Sequence, residues 1–170
     1  MPREIILGID PGSRATGYGI VSWEDNRLHF VNAGIIRPRA ELTFAERLER
    51  LYSGLKEIIG RHNPTVSAVE GVFHSVNARA ALLLGHARGA VILAAVHGGL
   101  SVFEYSPMTV KQAVVGYGRA EKTQVQHMVR VLLNLSKKPA QDAADALAVA
   151  ICHAHSSGSR PIPGSVKRKG

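Results

Sequence analysis

Sulfur and acid are both scarce in this 170-residue chain. Its one cysteine, Cys152, excludes an intramolecular disulfide and any zinc site built on cysteines. A reducing, cytoplasmic compartment is therefore the expectation. Long uncharged runs are missing as well: the longest in the apolar middle, 89–103, has 15 residues and contains His97. That is short of the ~20 apolar residues a membrane span needs. No basic-apolar-small leader opens the sequence, so secretion is not expected. Internal repeats and low-complexity tracts are also lacking.

What is present is a hydrophobic fraction of 45%, enough to bury a full core in one domain. Lys and Arg number 21 against 13 Asp and Glu, a formal net charge of +8, and the pI is near 10.1. A pI above ~9 is the usual electrostatic footprint of a nucleic-acid binder. Half of the excess is local, because residues 156–170 hold Arg160, Lys167, Arg168 and Lys169 and no acid. We read 1–155 as one folded domain and 156–170 as a basic tail too poor in large apolar residues to fold.

Within the domain, EIILGID (4–10) and TVSAVE (65–70) are short apolar runs that each end in an acid, the pattern of a buried strand. Residues 18–23 and 27–36 flank Glu24-Asp25-Asn26 and predict a hairpin. Leu48, Leu51, Leu55, Ile58 and Ile59 share one stripe of a helix over 42–62. A long apolar helix over 76–97 precedes a strand at 100–105, and helices are predicted at 107–115, 122–135 and 140–155. Three antiparallel opening strands followed by parallel strands through helical crossovers imply an α/β mixed sheet with helices on both faces.

Four carboxylates carry the functional argument. Asp10 and Glu70 close predicted strands, and neighbouring parallel strands would deliver both to one sheet edge, where α/β ligand sites lie. Asp142 and Asp145 stand three apart, on one face of the last helix. Asp142 alone fits a helix cap equally well. Asp145 is harder to dismiss, because a lone carboxylate in an Ala/Leu/Val helix is costly unless it meets a cation or donors. Converging acids without cysteine suit Mg²⁺ or Mn²⁺, hard ions that prefer carboxylate oxygen. Two such ions ~3.5–4 Å apart activate water and stabilise the leaving oxygen of a phosphodiester. A basic protein with such a centre points to a nuclease.

The segments GIDPGSRATGYG (8–19), AVEGVF (68–73), VKQAVVGYG (110–118), AEKTQVQHMV (120–129) and DAADALAVAICHAH (142–155) resemble the RuvC-type Holliday-junction resolvases, in the same order and across nearly the whole folded region. The resemblance implies a ribonuclease-H-like fold and a symmetric homodimer formed at the helix over 76–97. It implies magnesium-dependent nicking of two strands at a four-way DNA junction, with two Mg²⁺ per active site and Mn²⁺ able to substitute. Carried over by position, the metal-binding acids are Asp10, Glu70, Asp142 and Asp145. The aromatic beside the second acid is Phe73, and the two catalytically important lysines are Lys111 and Lys122. The pathway's companions, a junction-binding protein and a hexameric branch-migration motor (RuvA and RuvB), are implied as partners, and a thymine-centred cut site as the preference.

Phe73 is expected to be exposed in a loop and to wedge into a distorted base step. Segment 107–138 holds Lys111, Arg119, Lys122, Arg130, Lys137 and Lys138 against Glu121 alone. The loop GYGRAEK is expected to offer Arg119 and Lys122 near the acids, with Lys122 at the scissile phosphate and Lys111 supporting the site or the adjoining strand. Ser13 and Arg14 are expected to approach the DNA backbone. Gly12, Gly17 and Gly19 match no dinucleotide fingerprint and read as a tight strand–turn–strand. Gly85 and Gly89 frame a small-xxx-small face on the long helix, read first as close helix packing and otherwise as an apolar self-contact. Cys152 is expected to pack as a small apolar residue, and His74, His127, His153 and His155 carry no assignment. Three rival readings stand beside the resolvase. An actin/Hsp70-like ATPase needs a second lobe that 170 residues cannot hold. A non-catalytic junction-binding module would not need four acids. A related nuclease acting on RNA–DNA hybrids would share the chemistry and differ in grip.

Overall fold

The computed structural model describes residues 3–71 and 77–156. Five strands form one sheet in the order β3-β2-β1-β4-β5. They are β1 (Glu4–Asp10), β2 (Thr16–Glu24), β3 (Arg27–Ile36), β4 (Val66–Glu70) and β5 (Ser101–Tyr105). Strands β1 to β3 run antiparallel, and β4 and β5 join parallel through helical crossovers, as the hydrophobic patterning predicts. Asp25 and Asn26 both take positive φ and close the β2–β3 hairpin with a two-residue turn whose twist matches the strands.

Alternation along the strands assigns two faces. Ile6 of β1, Val21 of β2 and Val66 and Ala68 of β4 point into one apolar cluster. That cluster is completed by α3 (Pro107–Val115), α4 (Lys122–Leu132) and α5 (Gln141–His155). Leu7, Ile9, Ile20 and Val69 point the other way, into α1 (Phe44–His62) and α2 (Ala78–His97). The stripe expected on α1 is real: Leu51, Leu55, Ile58 and Ile59 are its buried residues.

Helix α5 is buried along nearly its whole length, because the strands beneath it carry glycine. A Cβ on Gly8 or Gly17 would overlap the carbonyl oxygen of Ala146 or Asp142, and one on Gly19 would stand 2.7 Å from the Leu147 side chain. The tight strand–turn–strand reading of Gly17 and Gly19 thus understates their role. They let a helix lie on bare backbone.

Two expectations change. Among the described residues Gly85 and Gly89 mediate no close packing, since a Cβ on either meets nothing within 4 Å there. With Leu82 62% and Leu93 48% exposed, the outer side of α2 is an open apolar face. And although the uncharged run is short, α2 itself has 20 residues and is long and apolar enough to cross a membrane by length and composition. It packs instead on α1 and the sheet through Ala87, Val91, Ala94 and Ala95.

Candidate active site

A period of two places the first two acids. Ile6 and Gly8 face α5, so Asp10 two residues further does too. Val66 and Ala68 face the same side, so Glu70 follows them. Strands β1 and β4 pair in parallel with Ile9 opposite Val69, which brings Asp10 and Glu70 side by side where the ladder ends. Asp142 and Asp145 descend from the first turns of α5 onto this edge. Oxygens of Asp10, Asp142 and Asp145 lie within 4.8 Å of one another. Glu70 stands beside this trio without belonging to it; its charge is felt by Asp10, and that of Asp145 by Glu70.

The cap reading of Asp142 is excluded. The N-cap of α5 is Ala140, and no side chain caps the helix. Gln141 Nε2 donates to Asp145 Oδ1 at 2.9 Å and orients it. Burial, then the charges of Asp145, Glu70 and Asp142, push the Asp10 carboxyl up to about 8. Glu70 is raised by burial and by Asp145. Asp145 is raised by burial, against the opposing pull of Lys122. Carboxylates that share a desolvated edge repel one another and so select a multivalent cation. Their oxygens suit Mg²⁺ or Mn²⁺.

Lys111 and Lys122 bring positive charge to the acids, and Arg88 acts on Glu70 as well. Lys122 is the first residue of α4 and lowers the carboxyls of Asp10, Glu70 and Asp145; Lys111 acts on Glu70 and Asp145. Gly116, at φ +99°, ends α3 and turns the chain so that α4 starts at the site.

The family model described as crossover junction endodeoxyribonuclease RuvC matches residues 6–153. The chain belongs to the RuvC family. A RuvC from Citrifermentans bemidjiense is 61% identical over 154 residues, covering 91% of this chain and 94% of that protein. The solved structure of Thermus thermophilus RuvC in complex with a Holliday junction substrate aligns at a TM-score of 0.86 with 34% identity, over 94% of this chain and 99% of that one. The yeast mitochondrial Holliday junction resolvase Ydc2 aligns at 0.65 with 15% identity over 89% of this chain and 78% of that one, which shows the fold alone. The ribonuclease-H-like architecture expected from the sequence is therefore that of a RuvC-family chain.

Phe73, carried over from the RuvC resemblance, lies outside the described residues, as does the unassigned His74. Arg119 is exposed in the 116–121 loop and Arg14 in the β1–β2 turn. His153 is buried and shares a 2.7 Å hydrogen bond with the Tyr105 hydroxyl, whereas His127 and His155 are exposed. Cys152 is buried as expected. Three supporting residues escape a reading of the sequence. Thr16 is fully buried and its hydroxyl donates to the Gly12 carbonyl, bracing the turn after Asp10. Gln141 braces Asp145. Arg88 of α2 donates to the Glu70 carbonyl oxygen. Arg88 alone left a signal, a lone charge inside an apolar helix, the test that singled out Asp145.

Proposed function

We propose that this protein is a homodimeric, structure-specific endonuclease that resolves four-way (Holliday) DNA junctions by paired symmetric nicks in homologous recombination and DNA repair. The convergence of Asp10, Asp142 and Asp145 within 4.8 Å, although residues 10 and 142 are 132 positions apart in the chain, carries this reading. Asp10, Glu70, Asp142 and Asp145 would hold two Mg²⁺ ions. Asp10 and Glu70 would hold the ions from the strand ends, with Asp142 and Asp145 completing the cage from α5. Bound ions supply Lewis acidity, lowering the pKa of water and neutralising charge on the phosphate.

The chain's own residues do the rest. Asp10 holds a proton at neutral pH when no cation is present and must release it as the site fills. Gln141 keeps the Asp145 carboxylate aimed. The Lys122 ammonium, at the start of α4, meets the scissile phosphate, and Lys111 the adjoining strand. The products carry a 5′-phosphate and a 3′-hydroxyl that a ligase can rejoin. Phe73, in the segment after β4, would stack at the crossover, with Arg119 and Arg14 on the flanking backbone. The apolar face of α2 suits a two-fold partner, as a two-fold junction requires. RuvA and RuvB, a cytoplasmic location and DNA contacts by the basic tail 156–170 complete the proposal.

A synthetic four-way junction incubated with wild type and Asp10→Asn, with and without Mg²⁺, tests the reading. Symmetric, ligatable nicks with wild type and metal only are expected. An equal rate on an RNA–DNA hybrid would favour the rival nuclease.

A further inference from the structure

A guanidinium inside a protein is tolerated only where its donors meet acceptors. Arg88 is the single Lys, Arg, Asp or Glu between Arg79 and Glu104, and it is 9% exposed in α2. Its Nη1 donates to the Glu70 carbonyl oxygen at 2.5 Å. Its Nη2 donates to Glu104 Oε1 of β5 at 2.7 Å. One side chain thus joins α2, the last residue of β4 and β5.

The position of this clamp matters. Glu70 pairs with Tyr105 in the last register step of the β4–β5 ladder, and the Gly71 amide still bonds the Tyr105 carbonyl at 2.6 Å. The main chain of Glu70 is therefore held from the β5 side and from α2. A small rotation there would swing a carboxylate three bonds away by far more than the tolerance of an ion site. Glu104 takes the other prong, and the guanidinium's charge also lowers the Glu70 carboxyl.

We propose that Arg88 is a positioning residue for the metal centre, fixing the Glu70 main chain so that its carboxylate meets the ions held by Asp10, Asp142 and Asp145. The proposal rests on the reading of Glu70 as a metal ligand. Groups that orient ligands typically change metal affinity about ten-fold or more when removed.

The test uses the full chain and four variants: Arg88→Gln, Arg88→Lys, Glu104→Gln and, as control, Glu70→Gln. Four quantities are read: Mn²⁺ binding by calorimetry without DNA, the Mg²⁺ half-saturation of junction cleavage, junction binding in chelator, and thermal melting. Arg88→Gln is expected to weaken Mn²⁺ binding and raise the Mg²⁺ half-saturation by about ten-fold. Excess Mg²⁺ restores cleavage, junction binding in chelator stays at the wild-type level, and Arg88→Lys falls between. If Arg88→Gln does not fold, Glu104→Gln, altered at a half-exposed side chain, decides with a smaller shift in the same direction. Wild-type metal titrations in Arg88→Gln or, failing that, in Glu104→Gln overturn the proposal, as does a cleavage loss that excess metal leaves unrepaired. Unaltered titrations in Glu70→Gln sink the ligand assignment and the proposal with it. Altered ones there beside unaltered ones in the Arg88 and Glu104 variants sink the Arg88 role alone.

Discussion

Gly17 of β2 lies directly beneath Asp142 of α5, so close that a methyl group on Gly17 would overlap the main chain of Asp142. The helix delivers two of the four acids, and its height above the sheet is set by the absence of side chains there. Gly17→Ala must lift the start of α5 or distort it, and overpacking of this kind against backbone costs about 3 kcal/mol or more. Thermal unfolding should show that loss, and junction cleavage should fall more steeply than junction binding.

Asp10→Asn separates stability from activity. An unfolded Asp ionises near 3.8, whereas the folded carboxyl waits until about 8. The native state therefore holds an extra proton between these values, and metal-free stability falls as pH rises from about 4 to about 8. Removing the charge should stabilise the metal-free protein at pH 8 by up to about 5 kcal/mol, with little difference at pH 4. Saturating Mg²⁺ should reverse the order at pH 8 by stabilising wild type, and Asp10→Asn should not cleave. Paired denaturant titrations at the two pH values check this.

His153 acts on the acid side. Burial holds its imidazole down at about 4, from the ordinary 6.5. The unfolded chain thus takes up a proton that the folded chain refuses, and stability intact above 6.5 is lost as pH falls toward 4. Glu4 Oε1 lies 4.0 Å from Nε2, but burial raises its own carboxyl, so it is largely neutral near pH 4 and the loss is about 3 kcal/mol. The difference in unfolding free energy between wild type and His153→Leu should shift by that amount, against wild type, between pH 7 and pH 4.

Lys122→Ala should reduce the salt slope of junction binding by about one and slow cleavage. An unchanged slope, measured by anisotropy over a range of salt without metal, would place the ammonium away from phosphate.

Leu82→Glu and Leu93→Glu put charges on the open side of α2 without touching its buried face. Sedimentation at micromolar concentration should show a dimer for wild type and a monomer for the double variant, with the melting temperature of the monomer lower.

Much of this molecule is local in origin. The alternating or continuous apolar runs of β1 and β4 name their own period, and the stripe of α1 names its buried side. The resemblance singled out the four acids by position, and Asp145 stood out because a charge inside an Ala/Leu/Val helix demands a partner. Arg88 obeys the same rule in α2, yet its partners, the Glu70 carbonyl and the Glu104 carboxylate, come from strands its own helix does not specify. Gly85 and Gly89 illustrate the opposite failure: small residues at that spacing permit close approach, but whether anything approaches depends on which side of α2 the sheet occupies.

What the chain's residue order determined, then, is which segments become strands and helices, which of their sides are apolar, and which acids stand at their ends. The tertiary structure alone decided that Asp10, Asp142 and Asp145 share one edge with Glu70 beside them, that Lys111 and Lys122 face them, and that Arg88 grips Glu70 from behind. Periodicity is a property of near neighbours. The distance between residues 10 and 142 is a property of how closely α5 settles on a glycine floor.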